Sequence, residues 1–95
     1  MENLSVNVMD ELGRILIPNN LRQQLDWVAG TSLYAVVDEK EKALILAESS
    51  DMVIDGLGRI TIPQAMCEQL GFGEGDNIAV VLDLDNRQIK LTVAE

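Results

Sequence analysis

The stretch Asp10-Glu11-Leu12-Gly13-Arg14-Ile15-Leu16-Ile17-Pro18 returns 45 residues later as Asp55-Gly56-Leu57-Gly58-Arg59-Ile60-Thr61-Ile62-Pro63, with seven of the nine positions identical. The same offset pairs Gln24 with Gln69, Leu25 with Leu70, Gly30 with Gly75, Val36 with Val81 and Asp38 with Asp83, and no gap is needed. A register kept that long is the mark of one supersecondary unit written twice. Whatever the chain folds into must be something that two such units build together.

Each unit reads as strand, loop, strand, short helix and hairpin. Leu4 to Met9 alternates apolar with polar residues, the period of a half-buried strand, and Met52 to Ile54 is its shorter counterpart. The Asp-x-Leu-Gly-Arg that follows is a tight loop, because glycine accepts backbone angles closed to other residues and aspartate bonds nearby amides. Arg-Ile-Leu-Ile and Arg-Ile-Thr-Ile are strand-like, and Pro18 and Pro63 end them at the first position of a helix. Leu21/Leu25 and Met66/Leu70 lie four apart on the two helices, and Gly71 closes the second where Asp26 stands in the first. Hairpins follow, with strands over 32–37 and 43–47 in one unit and 77–82 and 88–93 in the other.

Four short strands and one small helix cannot enclose a core alone, whereas two copies supply eight strands and two caps. The expected fold is therefore all-β with two short helices: one pseudo-two-fold, eight-stranded barrel domain over residues 1–95. Repeat one spans 4–48 and repeat two 49–94. Glu48 to Asp51 is the only linker and is too short to separate domains. Met1 to Asn3 carry no pattern and are expected to fray.

A chain of 95 residues with 47% apolar and 3% aromatic residues implies a core of Val, Ile and Leu. No apolar run approaches membrane-spanning length and the first residues show no signal pattern, so a soluble, cytoplasmic protein without a membrane partner is expected. With no histidine, a lone cysteine and no phosphate-cradling glycine loop, an enzyme, a bound cofactor and a metal site are not expected. Sixteen acidic against seven basic residues leave a net charge of −9, which repels polyanions at long range.

The loop-strand-proline signature, the Leu-Arg of the first helix, the Leu-Gly-Phe-x-x-Gly-Asp after the second and the acidic hairpin tips together resemble the AbrB/MazE/SpoVT family of swapped-hairpin barrels. The resemblance covers nearly the whole chain, twice. In that family two chains usually interlock, each with one unit; here one chain carries both, as in the tandem-repeat MraZ relatives. The resemblance implies a DNA-binding transcriptional regulator, or the antitoxin of a toxin–antitoxin pair with a toxin as protein partner. Carried over by position, it makes Arg14, Arg59 and Arg22 the candidate contacts to duplex DNA. The family often has two basic residues shortly before the loop, where this chain has Asn7 and Val8, or Met52 and Val53, and a second helix arginine where it has Gln23 and Glu68; Asn7 and Gln23 can contribute uncharged hydrogen bonds. In repeat two the place of Arg22 is taken by Cys67.

Two readings of Arg14 and Arg59 stand side by side: they reach phosphates or guanine edges, or each pairs with Asp10 or Asp55 and pins its loop. With three basic residues left for a DNA face, binding is expected to be weak and salt-sensitive. The rival function is an acidic protein-interaction module, antitoxin-like or an assembly domain, that has lost DNA. Lys40, Lys42, Arg87 and Lys90 read as solubilising charges, and Trp27 and Phe72 as plugs at the ends of the core. The last strand of repeat one carries Ala43, Ile45 and Ala47 on the side where repeat two has polar residues. Tyr34 and Val36 extend this face, which is the expected surface for self-association through the repeat-one hairpin.

Overall fold

The computed structural model describes residues 4–48 and 52–94, so the expected fraying of Met1 to Asn3 and most of the linker lie outside the described residues. Ten elements follow in order: β1 Leu4–Val8, β2 Arg14–Leu16, α1 Asn19–Leu25, β3 Ser32–Asp38, β4 Ala43–Glu48, β5 Met52–Val53, β6 Arg59–Thr61, α2 Gln64–Leu70, β7 Asn77–Asp83 and β8 Gln88–Val93. The repeated order of strand, strand, helix and hairpin is present in both halves. Pro18 and Pro63 sit one position earlier than expected, with ψ near 140°, so each is the cap residue and its carbonyl accepts the first helical bonds.

The strands interlock across the repeats. Six form an antiparallel sheet in the order β1-β7-β8-β4-β3-β5, and β2 pairs with β6 in a separate two-stranded ribbon. The first strand of each unit is thus held by the hairpin of the other: Val8 lies opposite Asn77, and its 45-residue twin Val53 lies opposite Ser32. Two pairings fall on the internal dyad itself, Ile15 opposite Ile60 and Ile45 opposite Lys90. Backbone bonds obey the same relation. Met9 N–H donates to Asp76 O and Ile54 N–H to Thr31 O, both at 3.0 Å.

The eight strands and the pseudo-symmetry expected from the repeat are present, distributed as six plus two in a curled, open sheet whose edges stand 18 Å apart. Its concave face, with the inner side of the ribbon and the two helices, surrounds one contiguous cluster. Leu21, Leu25, Leu33, Leu44 and Leu46 come to it from repeat one, and Ile78, Val80, Ile89 and Leu91 from repeat two, all completely buried. Each such side chain contributes about 1.5–3 kcal/mol on removal from water. Neither half keeps a dry interior alone. Trp27 and Phe72, at 1% and 5% exposure, plug this core as expected.

Two expectations need correction. In β1 it is the polar Ser5 and Asn7 that turn inward, while Leu4, Val6 and Val8 are about half exposed. Strand β1 is a sheet edge whose inner side lies by the ribbon, where Asn7 Nδ2 donates to Leu16 O at 2.5 Å. In β4, Ala43 is fully buried and so offers no exposed surface, on a strand flanked on both sides by β8 and β3. The arrangement, a curled antiparallel sheet with pseudo-symmetric contacts and two short helices, is consistent with an AbrB-like fold class in general.

Candidate functional site

The two Asp-x-Leu-Gly-Arg loops are built identically. The Asp10 carboxylate accepts the backbone N–H of Leu12 at 3.0 Å and of Arg14 at 2.8 Å on one oxygen, and Arg14 Nε–H at 2.6 Å on the other. Asp55 accepts the same three donors from Leu57 and Arg59 at 2.9, 2.8 and 2.8 Å. The backbone N–H of the arginine is the main reason that each aspartate is held below the usual carboxylate range; partial desolvation opposes it, and the Arg side-chain bond adds to it. The pinning role of both arginines is therefore realised. It uses Nε alone, and the terminal nitrogens of Arg14 and Arg59 make no hydrogen bond among the described residues. Both side chains remain about 30% exposed.

The antiparallel ribbon places Arg14 opposite Thr61 and Arg59 opposite Leu16. These four side chains share its outer face, because Ile15 and Ile60 alternate inward and are buried. Arg14 and Arg59 are thus related by the internal dyad on one exposed strip.

Arg22 lies on α1 and not on the ribbon strip, and it has no carboxylate partner among the described residues. Its Nε–H donates to Ile17 O at 2.8 Å, and its guanidinium lies flat on the opposite repeat's loop, so close that a Cβ at Gly58 would fall 2.6 Å from Cζ. Asn7 is tied to the ribbon end through Leu16 O. Gln23 is exposed on α1 beside a shallow cleft lined also by Asn19, Arg22 and Asp26. Arg14 and Arg59 share the ribbon, and Asn7 adjoins its end. Arg22 and Gln23 lie on α1.

The twin of the Arg22 site differs. At Cys67 the thiol lies 3.8 Å from Ile62 O, is 8% exposed and is pushed up in pKa by burial, so it is no ready nucleophile. Where Arg22 fills the space over Gly58, the space over Gly13 is a cleft of about 510 Å³ between the first loop and α2.

The outer face of the large sheet gathers the residues expected for self-association. Register brings Tyr34 opposite Ala47, Val36 opposite Ile45 and Ile45 opposite Lys90, and Val81 and Leu4 continue the strip to the β1 edge. Ala43 is excluded from it by burial. Two expected solubilising charges have partners far away in the chain. Lys90 pairs with Glu41 of the other repeat, and Arg87 Nη2 donates to Leu25 O at 2.6 Å, closing the C-terminal end of α1 from the opposite hairpin.

Among the described residues no three His, Cys, Asp or Glu side chains are grouped to hold a metal ion, and no helix is long and apolar enough to cross a membrane. Comparison with protein-family models and with curated proteins finds no match for the chain.

Proposed function

We propose that the chain is a transcriptional regulator of the AbrB type that docks on duplex DNA through the outer face of the β2–β6 ribbon. The observation that carries this reading is the dyad-related placement of Arg14 and Arg59, each with its terminal nitrogens unengaged. Duplex DNA has local two-fold symmetry in its backbone, so two equivalent guanidinium groups on one strip meet equivalent phosphates or guanine edges. The aspartates orient both side chains before DNA arrives, which lowers the ordering cost of contact. In this reading the six-plus-two sheet is the swapped-hairpin barrel in a form opened between β1 and β5, and the protein works in the cytoplasm.

The test is fluorescence anisotropy on random and mixed-sequence duplexes. Two phosphate contacts imply a loss of roughly tenfold in affinity between about 50 and about 200 mM salt. Arg14→Ala and Arg59→Ala should each weaken binding while circular dichroism shows the sheet retained. Absence of binding at the lowest salt would count decisively against the proposal.

A second reading is favoured by a specific observation. Arg22 has its Nε–H committed to Ile17 O, the net charge is −9, and the outer sheet face carries Leu4, Val81, Ile45 and Val36, broken by the Lys90–Glu41 pair between Val81 and Ile45. These features suit an acidic module that assembles with a protein, a second copy included, through the repeat-one hairpin. Light scattering across a concentration series, with Ile45→Lys as the disrupting variant, separates the two. The assembly module predicts a mass that rises with concentration and falls in the variant.

A further inference from the structure

The pseudo-symmetry offers an internal comparison between two equivalent clefts, one occupied and one open. Over Gly58, Arg22 supplies a guanidinium that lies on the glycine and satisfies the carbonyl of Ile17. Over Gly13, the equivalent carbonyl is that of Ile62, which among the described residues accepts only the Cys67 thiol at 3.8 Å. No side chain covers Gly13 as Arg22 covers Gly58: a Cβ there would be close to Ile62 O, at 3.3 Å, and would lie 3.9 Å from Cys67 Sγ. The open cleft measures about 510 Å³, more than one planar group needs.

Loss of the arginine is matched by a gain of opposite charge. The lining residues Glu11 and Glu74 replace Gly56 and Ala29 of the occupied twin, while Asp26 beside Arg22 is replaced by Gly71, so the cleft that lacks a built-in cation is on balance the more acidic. Met9, Leu12 and Phe72 give it an apolar floor suited to the methylene stem of a long cationic side chain. A bare ammonium ion fits this less well. A planar fork of donors can lie on the glycine and still reach both a carbonyl and a carboxylate, as a point charge cannot.

We infer that the cleft between the first Asp-x-Leu-Gly-Arg loop and α2 receives the guanidinium of an arginine side chain presented by a partner polypeptide, which takes the place that Arg22 occupies in the other half. Room beyond the guanidinium accommodates flanking backbone, and the negative charge of the whole chain attracts a basic segment. The cleft adjoins the ribbon face at Thr61 and Asp10, but its recognition of arginine does not rest on DNA binding.

The experiment is an amide NMR titration of the full chain with the capped peptide acetyl-Gly-Arg-Gly-amide. Its controls replace arginine by citrulline or lysine, and free L-arginine is a further arm. The arginine peptide should shift Gly13, Cys67 and Glu74, with the citrulline peptide at least about tenfold weaker because it keeps the shape and loses the charge. Cys67→Arg, which copies the twin, should abolish the shifts. The pair Glu11→Gly with Glu74→Ala, which restores the twin's residues at these two positions, should lose at least about tenfold in affinity without touching the core. The proposal is overturned by the absence of shifts at millimolar arginine peptide, by equal binding of the citrulline peptide, or by unchanged binding in the Glu11→Gly/Glu74→Ala protein. Free arginine binding as tightly as the peptide overturns the polypeptide as its source.

Discussion

Arg22 and Gly58 come from different repeats, yet the guanidinium of one lies where a side chain on the other would have to be, 2.6 Å from an added Cβ. Gly58 also has φ +83°, which non-glycine residues adopt only with strain. The helix of one half and the loop of the other are fitted through the missing side chain.

Gly58→Ala should therefore destabilise the protein by roughly 2–3 kcal/mol, combining left-handed strain with displacement of Arg22. Arg22→Ala in the same chain should recover the displacement component and leave the strain. Urea unfolding of the two single variants and the double variant measures the coupling, and simple additivity of the two changes would show that the contact is unimportant.

Asp26 ends α1 in the left-handed conformation with φ 60°, where Gly71 does the same for α2 with φ 74°. Asp26→Gly should raise stability by about 1 kcal/mol, visible as a higher urea midpoint at an unchanged slope. Gly71→Asp should lower it by a similar amount.

The loop aspartates set an acid limit. Asp10 and Asp55 are held below the ordinary aspartate value, foremost by the backbone N–H groups of Arg14 and Arg59. A depressed folded pKa contributes stability that is fully present above the unfolded value, about 3.9, and is lost as pH falls through the folded value. Stability should drop below about pH 4, and the Asp10→Asn/Asp55→Asn double variant should show a shallower drop over the same range. Chemical denaturation at a series of pH values checks it, and an equally steep acid limb in the double variant would refute it.

Trp27 is 1% exposed, and its Nε1–H finds no acceptor among the described residues. Its twin is Phe72. Trp27→Phe removes an unsatisfied donor along with some packing, so its cost should stay under about 1.5 kcal/mol, whereas Phe72→Ala should cost about 3–5 kcal/mol. Thermal unfolding of both variants decides it.

Arg87→Met keeps an apolar stem and removes the bond to Leu25 O across 62 residues of chain. A loss of about 1 kcal/mol is expected, with lower hydrogen-exchange protection confined to the last turn of α1. Uniform loss of protection would show that the bond is not local to the helix end.

Much of the architecture was legible because repetition at a constant offset survives any ambiguity in a single window. The order of elements and the glycine-dependent turns could be written from residues alone, and the Asp–Arg pairing was one of two readings that the residues left open. Which side of β1 faces the core could not, since alternation says that Leu4, Val6 and Val8 share a face without saying which way it points. Arg22 was equally opaque, because its partners are a carbonyl and a glycine, and neither leaves a mark in a residue pattern. A signal for the open cleft did exist. Glu11 and Glu74 depart from their twins Gly56 and Ala29 just where Cys67 departs from Arg22, and only the folded chain shows these departures to be neighbours.

The exchange of first strands between the repeats has a consequence for how such a molecule can diversify. When two identical subunits build an interlocked body, every change appears on both sides of the dyad, so a pocket cannot be plugged on one and vacant on the other. Tethering both copies in a single polypeptide removes that constraint. One half is then free to keep its own arginine as a permanent stopper while the other becomes a socket.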